Sequence, residues 1–416
     1  MMLAESWLQS LVTAIAVIAS SLPGTTAPEP AAQPEPTTAV VKTWVGSWGV
    51  SMTQASPSGL SATGVSNMTI RQVAHLSIGG SSIRVRLSNR FGTRPLVVGR
   101  VTVAPRKDSA AGTPNVELLR IVPVTFRGKP GVTIPAGADF VSDQIDVPVA
   151  EDSDVVISTY FPRATGPLTQ HPAGYASAFM ARGNQSGAGG APYRKIPGMA
   201  RFVVEGVDVR SDAVGSVVMF GDSITDGASS PVDRNQRYPD QLADLLLLQG
   251  FGTLNAGIGG NRLLSNGGVS GEAGLARFER DVIRRPGVKG VLILEGINDI
   301  RATRGSISAT QLINAHRKLI ARAHAAGLKA YGATLTPYWA TSHYTVGGEI
   351  ARQALNQWIR TSGEYDGFVD FEHAVRDPKQ PLRLLPAYDS GDHLHPNAKG
   401  FTAMARAVDL LMLTSD

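Results

Sequence analysis

Beyond Val214 the chain changes rhythm, and the new rhythm leaves few folds open. Short apolar runs at 216–220, 253–256, 288–294, 330–335 and 367–371 alternate with helical stretches at 237–249, 273–285, 308–326 and 348–361. A last helix is expected over about 397–413. Helices of ten or more residues between buried strands require right-handed crossovers, and so a parallel sheet covered on both faces. Five such strands suit the flavodoxin-like order 2-1-3-4-5, where ligands bind outside the carboxyl ends of the strands, between the first and third. The loops after strands one, two and three are therefore the place to look for chemistry.

From about 44 to 210 the pattern is different. Stretches such as 68–73, 82–87, 96–103, 155–161 and 201–207 alternate with period two or are continuously β-rich, with turn residues between them. Alternation of this kind argues antiparallel strands with one wet face, and no amphipathic helix of useful length interrupts them. The expectation is an all-β sandwich or jelly-roll-like domain over 44–210, followed by an α/β domain over 211–416. Trp44 and Trp48 open the β-rich part and are expected in its core rather than on a sugar-stacking surface.

The first 40 residues read as processing sequence. The apolar run 11–22 has the length of a signal peptide and is too short to span a bilayer; a Pro-, Ala- and Thr-rich linker follows it. This predicts a secreted protein, although Glu5 stands where a basic residue is usual. With 416 residues, 43% of them hydrophobic and 18% charged, the rest of the chain can bury a substantial core. A formal charge of +5 without a Lys/Arg cluster gives no nucleic-acid stripe. The chain has no cysteine, which excludes a thiol nucleophile, a disulfide and a Cys-based zinc site.

Four segments fall where the topology puts the cleft: Gly221, Asp222, Ser223 through Gly227 after the first strand; Asn255 to Arg262 after the second; Glu295 to Asp299 after the third; and Asp389 to Asn397 before the last helix. Ser223 at a strand-to-helix turn is either a helix cap or a nucleophile, and a nucleophile needs a base. His395 is the best candidate, with Asp392 three residues earlier to hold its tautomer. Acyl transfer also needs preorganised oxyanion donors, which the N–H groups of Ser223 and Gly260 and the side-chain amide of Asn298 would supply. Gly259 competes with Gly260 for that role. Asp222 is not the carboxylate expected to pair with the histidine. A Gly-x-Ser-x-Gly elbow is absent from the sequence.

Phe220, Gly221, Asp222 and Ser223, with Gly260, then Gly296, Asn298 and Asp299, then Asp392 and His395, resemble the four blocks of the SGNH (GDSL) hydrolases, in the family's order. The resemblance covers about 214–416. It implies an α/β/α esterase fold, Ser223 as nucleophile, His395 as base, Asp392 as its orienter, and Ser223, Gly260 and Asn298 as the oxyanion hole, with no metal and no cofactor. Gly260, five residues after Asn255, has the family's spacing. The preceding β-rich domain is similar to that of some secreted bacterial esterases, including relatives of xylan-deacetylating enzymes.

The implied activity is hydrolysis of a carboxylic ester, either a short acyl ester or a carbohydrate O-acetyl group. The partners are then a small-molecule ester or an acetylated polysaccharide, not a nucleic acid, and no membrane span is expected. A lipase, phospholipase or thioesterase of the same family is the first alternative, and a non-catalytic glycan-binding protein the second. A metal site at Asp389, Asp392, His393 and His395 is disfavoured, because a serine mechanism needs no metal. Arg262, Tyr338, Trp339 and Tyr388 are expected at the cleft rim. Glu295 is read as a strand-end charge, Asp299 as a loop tie, His393 as a supporting or surface residue, and His316 and His324 as exposed or half-buried.

Overall fold

Strand Ile83–Ser88 shows how the first half folds: Ile83, Val85 and Leu87 are buried, while Arg84 and Arg86 lie on the other face and converge on Asp208 of the neighbouring strand. The computed structural model describes residues 42–107 and 112–415; the expected export signal and linker lie outside the described residues. Two antiparallel sheets make up this half. One has four strands in the spatial order Thr43–Gly49, Val204–Ser211, Ile83–Ser88, Asp139–Val141. The other has six and is centred on the long pair Met68–Leu76 and Ser153–Phe161. Their inner residues, among them Val45, Ile70, Val85, Val101, Ile157 and Val207, share one apolar core, as expected of a sandwich.

Two expected strands are broken. The run 96–103 splits at Gly99, where Leu96–Val98 pairs with Val132–Ile134 and Arg100–Pro105 joins the six-stranded sheet. The run 201–207 breaks at Val203, whose φ of +63° is costly for a β-branched residue. Val203 is held there by its N–H to Thr169 and by its carbonyl accepting from Ser88. Trp48 is in the core, whereas Trp44 is half-buried with the Arg84 guanidinium over its ring at 4.0 Å. Burial removes Trp48 as a stacking surface, and Arg84 covers one face of Trp44.

The second half has the expected parallel sheet. Its strands, Gly215–Gly221, Phe251–Gly257, Val288–Leu294, Lys329–Ala333 and Gly367–Val369, stand in the order 2-1-3-4-5. Val217, Leu254, Val291, Leu292 and Ala330 pack under helices Tyr238–Leu247, Ala309–Ala325 and Val346–Thr361. The expected helix 397–413 is two helices, Ala398–Arg406 and Leu410–Thr414, because Asp409 starts the second by accepting from the Leu411 N–H. The expected helix 273–285 widens after Gly274–Phe278 into a π-helical turn, Glu279–Ile283. The halves touch directly: strand Thr43–Gly49 lies on Phe251–Gly257, and a Cβ at Gly46 would come within 2.7 Å of Leu254. Gly46 permits that approach.

His316 is a correction. It is fully buried, not half-exposed, because its ring meets Tyr365 at 2.6 Å and the Glu295 carbonyl at 3.2 Å. The carbonyl can only accept, so Nε2 donates to it and Nδ1 accepts from the tyrosine hydroxyl. Burial pushes the imidazole down to about 4, against the opposing pull of the Glu295 carbonyl. The unfolded histidine takes a proton first as pH falls, so stability from His316 is present above about pH 6.5 and is lost on the way to about pH 4, by about 3 kcal/mol. Urea unfolding at pH 7 and pH 4 is expected to show a drop about 3 kcal/mol smaller in His316→Gln than in the wild type.

Candidate active site

The first strand of the parallel sheet ends at Gly221, and Ser223–Asp226 turns at once into a short helix capped by Asp222, which accepts the Ile224 N–H at 2.9 Å. Asp222 is fully buried and its other oxygen has no partner; burial pushes its carboxyl up to about 7, against the pull of the Ile224 N–H and Arg301. It makes no hydrogen bond to His395.

The histidine comes from the other end of the chain. His395 lies before the last long helix, and its Nε2 is 2.8 Å from the Ser223 Oγ. Its Nδ1 is 2.5 Å from Asp392 Oδ2. The carboxylate can only accept, so Nδ1 carries the proton and Nε2 is left to accept from the serine hydroxyl. Asp392 is itself fixed: its Oδ1 accepts from the N–H groups of Leu394 and His395 and from the Ser390 hydroxyl. Partial burial works to raise the Asp392 carboxyl, but those N–H groups and the His395 ring outweigh it and hold it down to about 2.

The loop after the second strand is tied to the serine's helix by two bonds. Asn255 donates to the Thr225 carbonyl at 2.9 Å, and the Gly259 N–H donates to Asp226 Oδ2 at 3.0 Å. Gly259 is thus committed. Gly260 follows at φ +74° in a turn closed by Asn261 N–H to the Ile258 carbonyl, a position that favours glycine. Gly260 and Asn298 line one cavity of about 260 Å3 with Arg262, Ser270, Arg301 and His343. The Asn298 amide has a defined orientation, because Oδ1 accepts from Arg301 Nη1 at 3.0 Å. Its Nδ2 is buried and without a partner. Asp299 accepts the N–H groups of Leu263 and Leu264, tying this segment to the preceding loop.

A larger cavity of about 580 Å3 lies beside His75, Arg106, Asp154 and Asp233, and Ser223 is not among its walls. Neither Ser223 nor His395 is among the walls of the smaller cavity either; what distinguishes it is that Gly260 and Asn298 line it. Arg262 lines that cavity. Tyr338 does not: it is fully buried, with a hydroxyl that packs so closely on Gly348 that a Cβ there would come within 2.3 Å. Trp339 is half-buried under the Arg383 guanidinium, 3.7 Å from its ring, and Tyr388 is half-buried against the core. His393 is exposed at φ +65° and bonds Asp389 at 2.6 Å, a second His–Asp couple beside the first. Among the described residues no group of three or more His, Asp or Glu side chains could hold a metal.

Glu295 is the second correction. It is wholly buried, because Arg277 reaches it at 3.1 Å. Arg277 also donates to the carbonyls of Gly221 and Ala256 and to Asn261 Oδ1, so one guanidinium braces all three loops. In the sequence it is one arginine among several in an expected helix, and its partners lie up to 226 residues away. Arg301 had a readable signal, a helical i,i+3 spacing from Asn298; Ser270 and His343 had none. Arg277→Met leaves Glu295 buried without its cation, while Asp281 keeps Arg280, and is expected to cost about 3–5 kcal/mol by urea unfolding, partly recovered by a second change, Glu295→Gln.

A 2-1-3-4-5 parallel sheet with a serine–histidine–aspartate chain at its carboxyl edge is the framework of an ester hydrolase. Residues 219–403 match the model of the GDSL-like Lipase/Acylhydrolase family and form a domain of that kind. Solved structures similar to this chain include a GDSL-like lipase from Bacteroides thetaiotaomicron (20% identity, 47% of this chain and 87% of the other, TM-score 0.36). Another is a catalytic mutant of Axe2, an acetylxylan esterase from Geobacillus stearothermophilus (21%, 48% and 94%, 0.36). A third is LAE5, an alpha/beta hydrolase enzyme from the metagenome of Lake Arreo, Spain (19%, 49% and 95%, 0.36). No curated protein gives a significant match.

Proposed function

We propose that the protein hydrolyses a short-chain or carbohydrate O-acetyl ester through an acyl-enzyme on Ser223. The reading is carried by one observation: His395 Nε2 faces the Ser223 hydroxyl at 2.8 Å while Nδ1 is held by Asp392. As Ser223 Oγ attacks the ester carbonyl, its proton passes to His395 Nε2, and Asp392 stabilises the imidazolium. The developing oxyanion is met by the N–H groups of Ser223 and Gly260 and by Asn298 Nδ2. Collapse breaks the bond to the alcohol, which leaves with the proton from His395. Water then attacks the acyl carbon as it gives up a proton to His395; the acyl–Oγ bond breaks, the acid leaves, and the proton returns from His395 to the Ser223 oxygen.

The cavity supports a small acyl group. About 260 Å3 walled by Arg262, Arg301, His343 and glycine is a poor home for a long alkyl chain, which weighs against the lipase and thioesterase alternatives. Among the described residues no helix is long and apolar enough to cross a membrane, and the run 11–22 supports export. A fluorophosphonate should label one site, the peptide containing Ser223, and p-nitrophenyl esters should lose kcat/KM as the acyl chain lengthens beyond acetyl. Labelling at another residue would overturn the mechanism; a preference for long chains would overturn the substrate class.

A further inference from the structure

Behind the serine's helix, the β-rich half reaches into the α/β half through one side chain. His171 is buried, and its Nε2 meets Asp226 Oδ1 at 2.9 Å. Its Nδ1 meets the Ser51 carbonyl at 2.8 Å. The Ser51 carbonyl can only accept, so Nδ1 donates to it, and Nε2 shares a proton with the Asp226 carboxyl. The second oxygen of Asp226 accepts the Gly259 N–H at 3.0 Å. Asp226 ends the helix that begins at Ser223, and Gly259 precedes Gly260. A single carboxylate thus couples the Ser223 helix to the Gly260 turn, and a histidine 55 residues away in the other half holds it.

Ser51 reaches the site a second way. Its hydroxyl takes a hydrogen bond from Arg277, which also donates to the Gly221 carbonyl just before the motif. Arg237 packs on Gly227, immediately after the helix, but its guanidinium is committed to Asp240 by two hydrogen bonds. His171 is therefore the direct hydrogen-bonding partner of Asp226 from the β-rich half.

We propose that His171 is a positioning residue for ester hydrolysis: through Asp226 it sets the spacing between Ser223 and the Gly260 N–H, so that the β-rich half is part of the catalytic apparatus and not an appended module. This rests on the reading of Ser223 and Gly260 given above. Removing the imidazole leaves Asp226 Oδ1 buried without its partner, which loosens the helix and the turn together. An amide at 226 keeps the geometry without charge. Its Oδ1 accepts from Gly259, its Nδ2 donates to His171 Nε2, and the ring keeps its Nδ1–H on Ser51.

The test uses the full chain, with p-nitrophenyl acetate turnover and the rate of fluorophosphonate labelling measured on variants shown to be folded by circular dichroism. His171→Ala is expected to lower kcat and the labelling rate by about 100-fold, with KM within about threefold. Asp226→Ala should match it, and Asp226→Asn should recover most of the loss. A folded His171→Ala with wild-type kcat, or an Asp226→Asn as impaired as Asp226→Ala, overturns the proposal. Should the alanine variants not fold, His171→Gln keeps one donor to Asp226; the proposal then requires Asp226→Asn to turn over faster than His171→Gln, and the reverse order overturns it. Ser223→Ala in the same assay separates the two readings: if it is active the mechanism fails, whereas wild-type kcat in folded His171→Ala removes only the role of His171.

Discussion

Ser223→Ala is expected to lower kcat for p-nitrophenyl acetate by about 10⁵- to 10⁶-fold while leaving the fold intact. The serine is 8% exposed at the start of a four-residue helix, and the loss of one hydroxyl removes a single hydrogen bond, to His395 Nε2. Stability should change by no more than about 1 kcal/mol. Chemistry, by contrast, loses the only oxygen that His395 can activate. The double variant Ser223→Ala/His395→Ala should be no slower than Ser223→Ala alone, because the two groups act as one unit. Steady-state assays on the three proteins check this, and additive losses would mean that the two residues serve separate steps.

The second large effect is expected from Asp392→Asn, about 10⁴-fold in kcat. The direction follows from which oxygen is already taken. Oδ1 holds the N–H groups of Leu394 and His395 and the Ser390 hydroxyl, all donors. An asparagine must keep its carbonyl there and turn its NH2 toward His395 Nδ1. The ring then has to accept at Nδ1 and carry its proton on Nε2, where it faces Ser223 as a donor and can no longer take a proton. Asp392→Ala frees the ring to rotate and is expected to be less impaired than Asp392→Asn. Measuring both separates a tautomer effect from the loss of a charge; an alanine variant slower than the asparagine variant would favour the charge.

The parallel half was legible because its strands are continuous apolar runs and its helices repeat every three to four residues, so the order 2-1-3-4-5 and the location of Ser223, Gly260, Asn298, Asp392 and His395 followed from rhythm and motif together. Strand breaks were not legible. Gly99 and Val203 sit inside runs that alternate correctly, and what splits them is a change of sheet partner. Buried charge was the larger omission. Arg277, Glu295, His171 and His316 look like surface residues in a pattern that counts polar as exposed, yet each is under 2% exposed, with its partners supplied by other segments. Tyr338 fails for the same reason in reverse: a loop position after the fourth strand reads as rim, but Gly348 opens a slot that takes its ring inward. Sequence patterns carry local periodicity well, and a pairing across 55 or more residues has no local signature.

The most direct measurement is a rapid acid quench of the enzyme during turnover of p-nitrophenyl acetate, followed by peptide mass mapping. The account predicts one acetyl group, on Ser223, accumulating before steady state and disappearing as substrate is exhausted. An acetyl on any other residue, or turnover with no acylated enzyme at any time point, would contradict it.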